Sequence, residues 1–410
     1  MNNSSNFKHT SVYVVSGRRI VNDRVNKLSK LRPEFDSLKL IYPGNKYIDD
    51  YKIVIHPIPN PTKILNLISL KKLKSHLDKF LFFPSAQILF VWAVKKILDK
   101  YIYQDIQSGK NVTLLICFPP HDLSVLGIKL KEKYPQIRLV VDWQDLWSYD
   151  ENYLNLVPKI YHKRLYKLEK KIMSVSDMNV VTNKNAKKIL EKEYRIQPKC
   201  VCAIEHHYDS EDNLELQKNL KDFKSSPINN VIRIGLLGTF FKPPRVPGEK
   251  FLETMQLLKS KGIDIELHIH GLVSDEIKKK INKSNLSEVI YIHRRVSHAE
   301  AVNELFKYDY LLLLLESLSN SNAVMSIKLP HYLMVGKPIL AIVPNNSAVA
   351  DIVRETGSGF VIDASSDWNK ELATILENSD ESLKNLKRNK KNIEYYSWEN
   401  ISTRWLSVLG

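Results

Sequence analysis

Cysteine is scarce: three residues in 410, Cys117, Cys200 and Cys202. So small and odd a number excludes a disulfide framework or a cysteine-built zinc cluster, and a reducing, cytoplasmic setting is the expectation. Long apolar runs are missing as well. The nearest, Phe80 to Val94, is broken by Pro84, Ser85 and Gln87, so no membrane span is predicted. The opening stretch MNNSSNFKHTSVYVVSGRR has no apolar signal core, and export is not expected. Neither GxGxxG nor a Walker A sequence occurs, which leaves dinucleotide and P-loop readings unsupported. Asp-x-Asp is absent too. His206-His207 and Cys200-x-Cys202 lack ligand spacing, so neither a metal nor a cofactor is expected.

What is present describes a folded chain. Apolar residues make up 43% and charged residues 26%, and the length suits two domains of about 150–200 residues each. The charge is unevenly divided. Residues 1–225 hold 38 Lys and Arg against 24 Asp and Glu, a net of +14, whereas residues 226–410 hold 23 against 21, a net of +2. A basic half beside a near-neutral one points to an anionic partner for the first half, either nucleic acid or an anionic lipid surface. No aromatic-basic RNA motif or helix-turn-helix supports nucleic acid.

Short β-branched runs alternate with helical patterns through the first half: Val12–Ser16, Lys39–Tyr42, Ile53–His56, Val112–Cys117, Arg138–Asp142 and Met178–Thr182 read as strands, and Lys159–Val175 as a basic amphipathic helix. Residues 206–230 are polar and end in Ser-Ser-Pro, the character of a linker. A second alternation follows: strands Ile232–Leu237, Asp264–His270, Val289–His293, Tyr310–Leu315 and Pro338–Val343, with a helix over Ser326–Val335 stopped by Gly336. The expectation is an α/β chain of two doubly wound Rossmann-like domains, 1–205 and 231–390, joined by the 206–230 linker. A C-terminal helix in 391–410 is expected to pack back on the first domain. Ligands of such sheets bind beyond the carboxyl ends of the strands, in a central cleft if two sheets face each other.

Two constellations after strands suit an anion. In IGLLGTFFKPPR, the Gly238-Thr239 turn lets a ligand approach backbone, and Lys242 and Arg245 follow; the same residues also read as a tight turn with solvated cations. In NAVMSIKLPHYLMVGKPILAIV, Ser326 reads as the cap of a helix whose first turns hold Lys328 and Pro330. An ordinary capped helix would look the same.

The segment SIKLPHYLMVGKPILAIVPNNSAVADIVRETGSGFVI resembles one recurring in GT-B glycosyltransferases, roughly K-L-x-E-Y-L-x-x-G-K-P-I-L-A followed by a helix and Gly-x-Gly. NVTLLICFPPHDLSVLGIKLKEKYPQIRLVVDWQDLW is similar to the strand–Pro-Pro–helix–strand–Asp-x-x-Asp-x-Trp stretch of that fold, and the likeness spans about residues 85–365. It implies a C-terminal domain for a nucleotide-diphosphate sugar and an N-terminal acceptor domain. By position, Gly238, Thr239, Arg245 or Lys242, and Ser326 to Lys328 would hold the diphosphate without a metal. Two departures stand out. His331 replaces the usual Glu of x-E-Y-L, and its partner Glu would fall on Ala323, so retaining stereochemistry does not follow. His331 is then a candidate for a ribose hydroxyl or phosphate, and Glu316 for the sugar.

In the first half, candidate reacting groups are His121 and Asp122 after the Pro-Pro strand end, and Asp145 in DWQDLW. An imidazole can titrate near neutrality, as a base on an acceptor hydroxyl must, which makes His121 a candidate; the alternative is a helix capped by Asp122 with His121 exposed. Trp147 reads as packing. Gly17-Arg18-Arg19 is a further loop suited to a diphosphate or a lipid phosphate. Lys71, Lys72, Lys74 and Lys79 interleave with leucines and run into Phe80, Phe82 and Phe83, which suits an anionic headgroup boundary or a buried helix with a snorkelling lysine face. The reading is a cytoplasmic hexosyltransferase-type enzyme, peripheral at the inner face of the cell membrane, acting on a lipid-linked or envelope polysaccharide acceptor. Its rivals are a non-hydrolysing nucleotide-sugar epimerase and a catalytically degenerate glycosyltransferase serving as a partner subunit.

Overall fold

The structure is a computed structural model that describes residues 7–17, 23–56, 80–155, 157–209, 231–238, 240, 248–284, 286–294, 298–315 and 321–410. The chain divides into two compact units, Met1–Glu205 with Ile401–Gly410, and His206–Asn400.

The first unit is built on an eight-stranded sheet: β1 (Thr10–Ser16), β2 (Ser37–Pro43), β3 (Tyr47–Ile48), β4 (Lys52–Ile55), β5 (Asn111–Cys117), β6 (Arg138–Trp143), β7 (Met178–Val181) and β8 (Val201–Ala203). Its order is β3-β4-β2-β1-β5-β6-β7-β8. Every pair is parallel except β3 with β4. All seven residues of β1 are buried, as expected of a parallel strand covered on both faces. The helices Ile88–Gln107, Leu123–Lys133 and His162–Val175 pack in succession. Residues 401–410 complete this unit. Thr113 Oγ1 donates to the Leu409 carbonyl at 2.9 Å, and Arg138 Nε to that of Val408 at 3.0 Å.

The second unit holds six parallel strands, β9 (Ile232–Leu237), β10 (Ile265–His270), β11 (Ile290–His293), β12 (Tyr310–Leu314), β13 (Ile339–Val343) and β14 (Gly359–Asp363), ordered β11-β10-β9-β12-β13-β14. In both units the strand order reverses beside the first strand. The switch lies between β1 and β5 in one sheet and between β9 and β12 in the other, and at such a point neighbouring crossovers leave in opposite directions and open a crevice.

The sequence periodicity located many of these elements, and the local differences have physical causes. The helix expected from Ser326 begins at Leu329 and ends at Val335. Pro330 sits in its first turn, where the missing N–H costs nothing, and residues 327 and 328 form the preceding turn. The basic helix opens with a 3-10 turn, Lys159–Tyr161, before its regular part His162–Val175. Strands β3, β8 and β14 and the helix Ile88–Gln107 have no counterpart in the sequence reading: β3 and β8 are only two and three residues long, and β14 starts at Ser358-Gly359, turn residues rather than a β-branched run.

Candidate functional site

In the second unit β9 runs straight into Gly238, whose φ of +90° is one that side chains disfavour. A Cβ on Gly238 would lie 2.9 Å from Lys328 Cε and 3.2 Å from its Nζ. The glycine is therefore what allows the lysine to lie across the strand end. From the other side Gly271 closes in, where a Cβ would stand 1.9 Å from the Gly238 carbonyl oxygen. Gly238 N–H donates to the His270 carbonyl at 2.9 Å. The two constellations that the sequence separates by about ninety residues thus meet at one switch point, through Gly238 and Lys328. Ser326 lies before the helix rather than at its cap; its Oγ accepts Lys328 N–H at a long 3.4 Å.

His331 is buried and its Nδ1 donates to the Ile327 carbonyl at 3.2 Å. A carbonyl only accepts, so the neutral ring carries its lone pair on Nε2. Behind Gly238, His270 stacks on His293 with ring centroids 4.3 Å apart and shares a 2.5 Å hydrogen bond with Tyr308 Oη. Burial, with the His293 imidazole next, pushes the His270 pKa down to about 4. This imidazole stays neutral near pH 7, and the Lys328 ammonium brings positive charge to the loop.

In the first unit Gly17 follows β1 and packs on Pro120, where an added Cβ would meet Pro120 Cδ at 2.2 Å. Beyond β5 the chain turns through Phe118, Pro119 and Pro120 to His121. The His121 ring lies edge-on to Trp147 at 4.1 Å and to Tyr153 at 4.6 Å. Trp147 is fully buried among Phe118 and Trp143, so it packs against and orients the imidazole. Asp122 occupies the N-cap position without capping. Its carboxylate accepts instead from Ser85 N–H and Ser85 Oγ, both at 2.9 Å. This replaces the expected cap and ties the turn at residue 85 to the end of β5. Asp145 is exposed on the turn after β6.

One buried ion pair and one buried carboxyl in this unit escaped sequence reasoning. Asp142, at the end of β6, holds Arg24 in a two-pronged ion pair of 2.8 and 3.0 Å, with both side chains about 1% exposed. Arg24 also donates to the Glu205 carbonyl and lies 4.9 Å from the Trp405 ring centre. A lone arginine in a polar stretch gives no such signal. Glu169 was legible. It sits on the buried stripe of a basic helix, four residues after Leu165 and three before Ile172. Burial pushes its carboxyl up to about 7, while Tyr194 Oη donates to it at 2.6 Å.

Thr239, Lys242, Arg245 and Glu316 lie outside the described residues, as do Arg18, Arg19, Lys71, Lys72, Lys74 and Lys79. Among the described residues no group of three or more His, Cys, Asp or Glu is arranged to hold a metal ion.

Two α/β domains, each built on a largely parallel sheet with a switch point, have the architecture of the GT-B class of fold. Solved structures with that architecture match the chain along nearly its whole length. An α,α-trehalose-phosphate synthase (UDP-forming) from Burkholderia vietnamiensis superposes with a TM-score of 0.64 at 9% identity, over 97% of this chain and 99% of its own. HepE from Anabaena, in complex with UDP and glucose, gives 0.62 at 10% identity over 98% and 99%. A putative UDP-N-acetylglucosamine 2-epimerase from Listeria monocytogenes gives 0.54 at 14% over 98% and 95%. At such identities the likeness is one of fold. More particularly, residues 248–393 match the family described as Glycosyl transferases group 1. No curated protein matches the chain by sequence.

Proposed function

We propose that the protein transfers a hexosyl group from a nucleotide-diphosphate sugar to a lipid-linked or envelope-glycan acceptor. The observation that carries this reading is Lys328 lying across Gly238 at the β9–β12 switch point. A backbone free of side chain beside a primary ammonium is the chemistry a diphosphate needs. During transfer the bond from the anomeric carbon to the diphosphate oxygen breaks and one to the acceptor oxygen forms. Lys328 takes up the negative charge growing on the leaving oxygen, with Arg245 or Lys242 and Thr239 assigned to the same diphosphate from their place in the sequence. This assignment gives the leaving group its counter-charge without a divalent metal. His331 is assigned to a ribose hydroxyl or phosphate, and Glu316 to the sugar, from their place in the sequence. His121 and Asp145 are the candidate bases for the acceptor hydroxyl, Asp122 holds the His121 turn, and Gly17, Arg18 and Arg19 are assigned to a diphosphate or lipid phosphate from their place in the sequence.

The acceptor side of the proposal is an anionic membrane surface. Among the described residues no helix is long and apolar enough to cross a membrane. Phe80, Leu81 and Ile160 are exposed by 74%, 54% and 76%. Arg164 lies over the Phe83 ring at 4.0 Å, which links the Phe80–Phe83 segment to the basic helix. The solvent side of that helix carries Lys163, Arg164, Lys167, Lys170 and Lys171. Apolar side chains beside a row of cations match an anionic headgroup boundary.

A thermal-shift panel of nucleotide-diphosphate sugars against the matching nucleoside monophosphates tests the donor reading. A diphosphate sugar that raises the melting temperature where its monophosphate does not supports it. Equal or no shifts across the panel overturn it.

A further inference from the structure

Strands β9 and β12 begin as partners, with Ile234 opposite Tyr310 and Gly235 opposite Leu311. Continued at that register, the Leu237 N–H would reach the Leu312 carbonyl, because each parallel-strand donor meets the residue before its partner. It does not. Leu237 N–H donates to Tyr332 Oη at 3.0 Å, and Tyr332 Oη donates to the Leu312 carbonyl at 3.2 Å. A hydroxyl has been inserted into the ladder, and it holds the two strand tips one oxygen atom apart. The Tyr332 ring is fully buried in the core with Leu329 and Leu333. Burial raises the phenol pKa, so the hydroxyl keeps its proton and its donor role. The backbone N–H of the same residue donates to the Lys328 carbonyl at 3.0 Å. One side chain and its own amide therefore fix both the residue before Gly238 and the backbone of Lys328.

We propose that Tyr332 is a positioning residue: its hydroxyl sets the opening between β9 and β12 and thereby the placement of Gly238 against Lys328 for a diphosphate. The proposal rests on the nucleotide-diphosphate reading of that site. Ordinary core packing needs the ring but not the hydroxyl, and a ladder of direct bonds needs neither. The hydroxyl is what converts a closed sheet edge into a seat.

Tyr332→Phe removes only that oxygen. Inorganic pyrophosphate, titrated calorimetrically, should bind the variant about tenfold more weakly, the scale of one lost hydrogen bond. In a Lys328→Ala background the same change should cost little more, because both act on one seat. A purely structural tyrosine would lower the melting temperature equally but leave pyrophosphate affinity, and its coupling to Lys328, untouched; that result overturns the proposal and spares the donor reading. A wild-type protein that binds neither pyrophosphate nor UDP overturns both. Should Tyr332→Phe fail to fold, hydrogen exchange of the Leu237 amide in the wild type decides. Slower exchange on adding pyrophosphate supports the seat, and unchanged exchange overturns it.

Discussion

Replacing Gly238 by alanine separates two consequences that usually arrive together. The first is backbone strain: at φ of +90° a side chain costs about 1–2 kcal/mol, which should lower the melting temperature by a few degrees. The second is steric. The new Cβ would stand 2.9 Å from Lys328 Cε, too close to keep, but the obstacle is the far end of a flexible chain that swings away at little cost. The fold therefore survives while the ammonium leaves the strand end. If Lys328 makes a charged hydrogen bond to a diphosphate there, losing it costs about 1.5–3 kcal/mol, or roughly a 10- to 150-fold weaker dissociation constant. Calorimetric titration with UDP, alongside thermal unfolding without ligand, reads the two effects separately. Gly238→Ala and Lys328→Ala should lose similar affinity, and the double variant should lose little beyond either one. A Gly238→Ala protein that is less stable but binds UDP like wild type would refute the assignment of Lys328 to the ligand.

Glu169 makes a pH prediction. Its folded pKa of about 7 lies above the ordinary 4.5, so its contribution to stability is full below pH 4.5 and is lost as pH rises through 7, by about 3 kcal/mol at most. Glu169→Gln should be more stable relative to wild type at pH 8 than at pH 5 in denaturant melts, and a pH-independent difference would argue against a carboxyl that titrates in place. Transfer should persist after exhaustive chelation; activity lost with chelator and restored by magnesium or manganese would overturn the metal-free assignment. Binding to anionic vesicles should weaken with salt, and Lys163, Lys167 and Lys170 changed to glutamine should remove about 1 kcal/mol each. Phe80→Ser with Ile160→Ser should abolish the salt-resistant remainder. Equal binding of wild type to neutral and anionic vesicles would contradict the charge-led docking.

Strands were legible where burial on both faces writes them as apolar runs: Tyr310–Leu314 is nearly all leucine, and Ile339–Val343 is wholly apolar. Gly238 stands out in the sequence because a glycine directly after such a run marks a turn or a close approach of backbone. What lay beyond reach depends on which side chains meet across the fold. Nothing in one sequence says that the Tyr332 hydroxyl enters a strand ladder, since a tyrosine amid Leu329, Leu333 and Val335 reads as core, which its ring is. Arg24 and Asp142 are 118 residues apart, and only the topology makes them partners. The cap assigned to Ser326 failed for a local reason: Pro330 belongs in the first helical turn, which places the helix start at Leu329.

The central claim is that the bond between sugar and diphosphate is broken and the sugar moved. Phosphorus NMR of a nucleotide-diphosphate sugar incubated with the protein, with and without a polyprenyl-phosphate acceptor in anionic vesicles, observes that bond directly. The free nucleoside-diphosphate signals should grow, faster with acceptor, and should be lost in Lys328→Ala. An unchanged spectrum for every donor, or an epimerised sugar still attached to its diphosphate, would contradict it.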